Sequence, residues 1–459
     1  MCSSDLDTTK RKSFDMDYNH VITTKSQVHT FKAGFGVQDL SNDINSYYPG
    51  GYVNIFWDRA FSFGGQTVGT GRGTYGYYEV NDRQIKNKAG SNIKSLYVQD
   101  QWAAGQHLTL SLGLRTEHEV VPTFRKDVVI THANGKKDSN AFDFGWGDKL
   151  APRLGAAYDL WGDGKAKLFA SWGRYYDWTK YELPRGSFGA ETWCIYYRAL
   201  DTLDLGSLNM TNKPGTSLWP SNPAGCRDRR VPAFAEEIDP DAKPMSQDST
   251  NAGFEYQLDK GSVLSVYYVH NNLRTTIEDI GYLDATGNEG YLIGNPGLGR
   301  TKYQFPTGTT PKNQLTPTPK RQYDAMTIGY QRRYSNNWFL NANYTLSRLY
   351  GNYSGTGSSD EITPPTTGNT ASAAQQQTGT IARSGSNVSR AWDVDELLYD
   401  SKGNLVYGRL ATDRPHQFKV YGSYMAPFKT QFGAFVSRSE EHTSELQSLA
   451  YLVCRLLLE

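Results

Sequence analysis

The chain has 459 residues and a formal net charge of +1, and 38% of its residues are hydrophobic while 13% are aromatic, with 31 Tyr and 45 Gly. Its mean hydropathy of −0.61 and the lack of any stretch of roughly 18 uncharged apolar residues exclude a helical membrane protein. The evenly spaced aromatic and β-branched residues exclude a disordered chain, and the near-zero charge predicts no nucleic-acid partner.

The two ends of the chain differ in character from the rest. Residues 1–6 and 438–459 resemble translated sequencing-adapter DNA. We therefore expect an artefact at each end and natural sequence over residues 7–437. For the second segment the alternative is a natural amphipathic helix.

Alternation of apolar and polar residues with a period of two predicts about twelve strands of membrane-crossing length. The clearest case is the run of Leu108, Leu110, Leu112 and Leu114, which alternate with small or polar residues. In chain order, the predicted strands are residues 14–22, 28–37, 93–103, 107–117, 150–160, 165–175, 246–258, 262–270, 323–334, 338–349, 414–426 and 431–436. Residues 51–57 and 75–80 are predicted to form a hairpin within the first long loop.

The connections between these strands alternate between short and long. Short turns are predicted at residues 23–27, 104–106, 161–164, 259–261, 335–337 and 427–430, and long segments at 39–92, 119–148, 176–245, 271–322 and 351–413. Loops beyond about 15 residues are uncommon in compact soluble domains. Outer-membrane barrels, by contrast, have short periplasmic turns and long extracellular loops. The pattern predicts an all-β protein with about twelve strands of an antiparallel transmembrane β-barrel.

Catalytic motifs are not evident in the sequence. It contains no GxSxG, HExxH, CxxC or Walker loop, and its eight His residues lack metal-ligand spacing. The formal GxGxxG match at residues 71–76 lacks the buried strand and helix that a dinucleotide site needs. We expect no enzyme activity, no cofactor and no metal site. A soluble carbohydrate-active β enzyme is an alternative based on the aromatic residues, and the loop asymmetry disfavours it.

Two cysteines lie within one long predicted loop. Cys194 and Cys226 are 32 positions apart. As a hypothesis, they form a disulfide in the oxidising exterior, which would contribute about 3 to 4 kcal/mol in the chain-entropy model. The alternative is two free thiols. The neighbouring Arg227, Arg229 and Arg230 suggest contact with an anionic ligand or lipopolysaccharide, against the alternative of solvated loop charge.

Five stretches carry a resemblance to a known family: residues 95–102 (SLYVQDQW), 150–155 (LAPRLG), 173–186, 343–348 (NYTLSR) and 413–416 (DRPH). On these residues the chain resembles the TonB-dependent outer-membrane receptors, and specifically the Oar-like branch, which carries a carboxypeptidase-regulatory-like domain ahead of its plug. The resemblance spans nearly all of residues 13–437.

The resemblance implies a larger barrel of about 22 strands around a plugged lumen. It also implies uptake of an unidentified extracellular ligand across the outer membrane of a Gram-negative-type bacterium, energised by the TonB complex through a plug region absent from this fragment. Outer-membrane lipid and lipopolysaccharide would surround the barrel. The alternative is a passive barrel, an adhesin or a structural surface protein, which would share every pattern described above.

Overall fold

The structure is a computed structural model. It describes residues 4–47, 52–60, 62–63, 66–67, 72–124, 129–132, 135–179, 191–210, 228–229, 239, 242–283, 289–299, 316–353, 355, 400, 402–410, 412–440 and 451–457. No helix within these residues is long and apolar enough to span a membrane.

Nearly all of the regular structure is β-strand. In chain order, the strands are β1 (Ser4–Thr23), β2 (Gln27–Tyr47), β3 (Tyr52–Trp57), β4 (Ser62–Phe63), β5 (Gln66–Thr67), β6 (Gly76–Ala104), β7 (Leu108–Pro122), β8 (Ile130–Thr131), β9 (Lys137–Asp138), β10 (Asn140–Phe144), β11 (Ala151–Asp159), β12 (Ala166–Tyr176), β13 (Glu191–Leu200), β14 (Asp228–Arg229), β15 (Ser246–Gln257), β16 (Ser262–Thr275), β17 (Glu278–Leu283), β18 (Glu289–Gly294), β19 (Arg321–Ser335), β20 (Trp338–Gly351), β21 (Gly408–Arg409), β22 (His416–Met425), β23 (Gln431–Glu440) and β24 (Tyr451–Leu457). One short 3₁₀ turn covers Leu205–Ser207.

Twelve long strands form an up-and-down antiparallel meander. Their spatial order is β1, β2, β6, β7, β11, β12, β15, β16, β19, β20, β22 and β23, and each strand pairs with the next. All twelve predicted strands and the barrel-type antiparallel architecture are confirmed. The hairpin predicted within the first long loop is also present, because β3 pairs with the first residues of β6. Strand β24 pairs with β23 at the edge of the sheet.

The strands β1, β2 and β6 are longer than predicted. Residues 39–47 of β2 pair with residues 84–92 of β6 in unbroken register, so the predicted first long connection, residues 39–92, is wrong at both ends. The gap between the two strands is residues 48–75. The reason is physical: above the membrane neither face of a strand contacts lipid, so the strand continues without apolar alternation.

The artefacts expected at residues 1–6 and 438–459 stay a prediction.

The short turns have the backbone chemistry of tight hairpins. Asn336 and Asn337, which connect β19 to β20, both have positive φ, at 52° and 66°. Two consecutive positive φ values are the requirement of a type I′ turn, whose twist matches that of paired strands. Between β11 and β12, the Asp159 carboxylate accepts hydrogen bonds from the backbone N–H groups of Gly162 at 3.0 Å and Gly164 at 2.8 Å.

One face of the sheet carries large apolar side chains that remain exposed. Leu112 on β7 lies opposite Leu154 on β11, and residues opposite each other in an antiparallel pair share a face. These two side chains are 43% and 48% exposed. A soluble sandwich would bury such leucines in its core, whereas a membrane barrel places them against lipid. This face is therefore the lipid face.

Aromatic rings lie on the same strands close to the short turns. Trp102 stacks on His29 with ring centroids 5.2 Å apart, and Arg332 lies over the Trp338 ring at 4.3 Å. Trp161 meets Tyr256 edge-on at 5.6 Å. Amphipathic rings at this height are typical of the girdle at a membrane interface.

The facing assignment gives a testable difference between neighbouring positions. In the full-length protein, Leu112→Arg should lower the free energy of unfolding in bilayers by about 2–4 kcal/mol, because it places a guanidinium in lipid. Ser111→Arg, on the opposite face, should cost clearly less. Equal costs in a urea-titrated folding assay would mean that the two faces are assigned the wrong way round.

Candidate functional site

The second face of the sheet is polar and rich in glycine. Gly113 on β7 lies opposite Arg153 on β11, which lies opposite Gly173 on β12. Two residues farther along these strands, a second row crosses β7, β11, β12 and β15 and consists of Ser111, Gly155, Ser171 and Asn251. We call this face the inner wall, because in a closed barrel it lines the lumen.

Glycines in the inner wall let aromatic residues of neighbouring strands approach the backbone closely. Gly253 on β15 sits between Phe169 on β12 and Tyr267 on β16, and a Cβ there would come within 2.6 Å of both side chains. Gly34 on β2 is covered in the same way by Tyr97, 2.6 Å from where a Cβ would lie. The absence of a side chain at these positions gives a smooth wall on which the rings shield strand backbone.

Charges on the inner wall are balanced by neighbours. The Asp17 carboxylate accepts a hydrogen bond from the Tyr97 hydroxyl and lies 3.8 Å from the Lys32 ammonium. Arg115 donates to Glu117 on its own strand at 2.8 Å. The wall therefore presents fixed polar groups of both signs, an arrangement suited to a polar solute or a polar protein segment.

Above the membrane, three of the long connections pack together. A shared apolar core joins Val121, Ile130, Ala141, Phe142 and Phe144 of the second connection, Ala242 of the third, and Ile277 and Ile293 of the fourth. We call the described residues of 121–144, 242–245 and 276–295 the loop cap. A core contributed by three separate segments makes the loop cap an ordered surface at the long-loop end of the inner wall.

Asn295 holds two of these segments together. Its side-chain oxygen accepts a hydrogen bond from the Lys243 N–H at 2.5 Å. Its amide nitrogen donates to the carbonyls of Lys243 at 2.9 Å and Thr276 at 2.7 Å. Because buried polar groups are costly when unpaired, this one amide fixes the relative positions of the third and fourth connections.

A buried ion pair lies where the inner wall meets the long connections. Lys149 and Glu119 are both buried, and the Lys149 ammonium donates to the Glu119 carboxylate and to the Asp177 carbonyl, the latter at 3.1 Å. The Thr179 N–H donates to the other oxygen of Glu119 at 2.7 Å. The carboxylate thereby ties the start of the third connection to the end of β7.

Tyr353, which follows β20, contacts the fourth connection through its hydroxyl. Its hydroxyl is 2.9 Å from the Thr276 hydroxyl and donates to the Glu278 carboxylate at 3.2 Å. Burial, followed by the negative charge of Glu278, raises the pKa of Tyr353 well above 10. The phenol therefore stays protonated and remains a donor.

A chain of alternating charges crosses the loop cap. The Asp138 carboxylate lies 2.8 Å from the His132 imidazole and 3.0 Å from the Lys136 ammonium. The Lys136 ammonium also forms an ion pair with the Asp143 carboxylate at 2.6 Å. Burial opposes ionisation of Asp138, but hydrogen bonds from His132, the Asn140 backbone N–H and Lys136 outweigh it and hold the pKa of this carboxyl well below its usual value. The loop cap thus depends on an ionised Asp138.

The cysteine hypothesis lies largely beyond the described residues. Cys226, Arg227 and Arg230 lie outside them, while Cys194 lies in β13 and Arg229 in β14. The side chains of Cys194 and Arg229 also lie outside what the structure describes. The disulfide stays a prediction. Within the described part of the chain, no group of three or more His, Cys, Asp or Glu is placed to hold a metal ion.

The loop cap was missed by sequence reasoning. A local signal existed in the apolar and aromatic cluster Ala141, Phe142 and Phe144, which is unusual for a solvated loop. Its partners Ile277 and Ile293 lie more than a hundred residues away in the chain, so no sequence pattern could reveal that these segments meet.

The comparisons with known proteins agree with this architecture. A family model described as an outer membrane beta barrel domain matches residues 3–441. The TonB-dependent transporter Oar of Myxococcus xanthus is 29% identical, and the match covers 86% of this chain and 34% of that protein. The chain thus spans about a third of the length of this curated relative.

Solved structures of similar shape include the siderophore receptor PiuA from Acinetobacter baumannii, with a TM-score of 0.47, 12% identity, and coverage of 95% of this chain and 46% of that chain. A second is the outer membrane transporter YddB from Escherichia coli, with a TM-score of 0.46, 11% identity, and coverage of 98% of this chain and 47% of that chain.

The Lys149 ion pair predicts a local loss of stability. Glu119→Ala should lower the free energy of opening around residues 177–179 by up to about 3–5 kcal/mol, because it removes the nearer carboxylate of a buried ammonium and leaves only Glu117, at 3.8 Å. Amide hydrogen exchange of Thr179 measures this. The matched control is Glu255→Ala, which removes a half-exposed partner of Lys167 and should change stability by less than about 1 kcal/mol. Unchanged exchange at Thr179 would contradict the role of Glu119.

The charge chain predicts acid sensitivity of the loop cap. A depressed pKa at Asp138 contributes stability that is present above the ordinary carboxyl value of 3.8 and is lost as pH falls through the folded-state value. Below about pH 4, hydrogen exchange of the backbone amides in the loop cap should therefore be faster than the intrinsic effect of pH on exchange predicts. In Asp138→Asn the cap should be weakened at neutral pH and should lose this acid-dependent step. An acid response that persists unchanged in the variant would assign it to another group.

Proposed function

Because the chain belongs to the outer membrane beta barrel domain family, we propose that it is the barrel portion of a TonB-dependent transporter that takes up an extracellular ligand across the outer membrane. Its location is the outer membrane of a Gram-negative-type bacterium. The observation that carries the proposal is the 29% identity with a TonB-dependent transporter along 86% of this chain.

The inner wall supports a filled lumen. Its glycines and the aromatic residues packed on them, with Gly253 between Phe169 and Tyr267, give a surface against which a folded segment can slide or repack. Its paired charges, such as Arg115 with Glu117, offer hydrogen bonds without a strong field of one sign. These properties suit a plug segment that TonB displaces.

The loop cap supports ligand capture at the cell surface. Its apolar core and the Asn295 contacts hold parts of three connections in fixed positions at the long-loop end of the wall. A preorganised surface loses less conformational entropy on binding than mobile loops do. The ligand class is left open, and the protein acts as a carrier rather than as an enzyme in this proposal.

The passive barrel is the competing function, and ion conductance separates the two. Full-length protein inserted into planar bilayers in KCl should show no steady channels, because a plug fills the lumen. A purified periplasmic TonB domain should bind the same protein. Stable ohmic conductance together with no TonB binding would overturn the proposal in favour of a passive pore. Deletion of the proposed plug is the matched control and should produce steady conductance.

A further inference from the structure

One arginine of the inner wall has no acidic neighbour within the described residues. Arg153 on β11 is exposed, and its guanidinium carbon lies 4.8 Å from the centroid of the Tyr175 ring on β12. In the part of the chain that the structure describes, this ring is the contact of the Arg153 side chain, and no carboxylate lies within ion-pair distance. Arg115 on β7, by contrast, is 2.8 Å from Glu117. Arg153 therefore keeps its N–H donors available to a ligand.

Glycines flank Arg153 on both neighbouring strands. Arg153 lies opposite Gly113 on β7 and opposite Gly173 on β12, and opposite residues share one side of the sheet. Beyond these glycines the same row continues to Gln99 on β6 and Ser249 on β15, which are neutral. The guanidinium thus lies in a shallow notch of the wall, and the row from Gln99 to Ser249 contains no carboxylate.

Gly173 also determines where the Tyr175 ring lies. A Cβ at Gly173 would lie 3.2 to 3.3 Å from Cε2, Oη and Cζ of Tyr175. The ring therefore leans back over the bare backbone of Gly173, which is also the residue opposite Arg153. Its cation–π contact restrains the guanidinium without using the N–H donors.

The notch lies directly beneath the loop cap. Arg153 is close to the start of β11, and Tyr175 is close to the end of β12, both at the long-loop end of the wall. Just beyond Tyr175, the Asp177 N–H donates to the carbonyl of Met245, a loop-cap residue, at 3.1 Å. The notch is therefore at the extracellular end of the inner wall and far from the short turns.

We propose that Arg153, restrained by Tyr175, binds a carboxylate of the extracellular ligand as that ligand enters the lumen. Two N–H groups on one edge of a guanidinium match the two oxygens of a carboxylate, and one positive charge balances one negative charge. A phosphate monoester carries about −1.5 to −2 at neutral pH and would keep an excess of negative charge, because the row from Gln99 to Ser249 offers no second cation. The ligand class rests on the proposed uptake function and makes the ligand a carboxylate-bearing molecule.

A carboxylate of the proposed plug is the competing occupant. The position of the notch favours the ligand, because a molecule that enters from outside meets the long-loop end of the wall first. The exposure of Arg153 beneath the loop cap agrees with this order of contact.

The first test follows the reaction of Arg153 with phenylglyoxal in the full-length protein in detergent micelles, with the labelled peptide quantified by mass spectrometry. Arg153 should react at least threefold faster than Arg115, whose guanidinium is paired with Glu117. N-acetylglycine, a small carboxylate, should slow the labelling of Arg153 at least threefold. The neutral N-acetylglycinamide should leave it unchanged at the same ionic strength. Labelling of Arg115 is the internal control and should respond to neither compound, whereas equal rates at Arg153 with the acid and the amide would overturn the proposal.

Two further measurements identify the occupant. If a plug carboxylate holds Arg153, its labelling in the full-length protein will be slow and insensitive to N-acetylglycine, and will rise when the proposed plug is deleted. That result would assign Arg153 to a plug contact and reject the ligand site. Inorganic phosphate at the concentration of N-acetylglycine should protect Arg153 less well. Stronger protection by phosphate would reject a carboxylate as the ligand class.

Variants of Tyr175 separate positioning of the guanidinium from packing. Tyr175→Leu should raise the concentration of N-acetylglycine that gives half-maximal protection at least threefold, because an unrestrained guanidinium loses more conformational entropy on binding. Tyr175→Phe keeps the ring and is the matched control, with protection as in the unmodified protein. Unchanged protection in a folded Tyr175→Leu, as judged by β-sheet circular dichroism, would contradict the positioning role. If this variant does not fold, labelling of the unmodified protein still decides the proposal, since it needs no substitution.

Failure of the carboxylate site and failure of the transporter are distinguishable, because the labelling requires neither TonB nor transport. A protein that binds TonB and blocks conductance but shows no protection by N-acetylglycine would refute the carboxylate site alone. Protection in a protein that conducts ions and does not bind TonB would refute the transporter and leave a carboxylate-binding passive barrel.

Discussion

Every backbone N–H and C=O within the hydrocarbon layer must be paired, since no water is present to satisfy it. From β2 to β23 the meander meets this requirement, because each long strand pairs with a neighbour on both sides; β1 pairs with β2 alone. Alternation of facing side chains follows directly from that pairing. The leucines of β7 must then face lipid while Ser111 and Gly113 face the lumen.

Beyond the hydrocarbon layer this constraint relaxes, and the chain uses the freedom in two ways. The first strands continue as a tall paired wall, with β2 and β6 in register over residues 27–47 and 84–104. The later connections instead fold onto one another around Phe142, Ile277 and Ile293. Polar contacts such as those of Asn295 and Glu119 then fix the connections to one another and to the wall.

The three surfaces of the sheet differ in their chemistry. The inner wall is polar and smooth, the loop cap is ordered and faces the exterior, and the lipid face ends in a row of arginines held by aspartates.

The sequence alone determined the positions of the twelve strands, the alternation of short and long connections and the identity of the lipid face. It could do so because lipid contact on one side imposes a period of two on each strand, most clearly from Leu108 to Leu114. Only the tertiary structure decided how far β2 and β6 extend, which connections form the loop cap, and that Lys149 meets Glu119 or Arg274 meets Asp248. Those contacts join residues distant in the chain, and they depend on strand register and on loop packing in a region where no lipid imposes a repeating pattern.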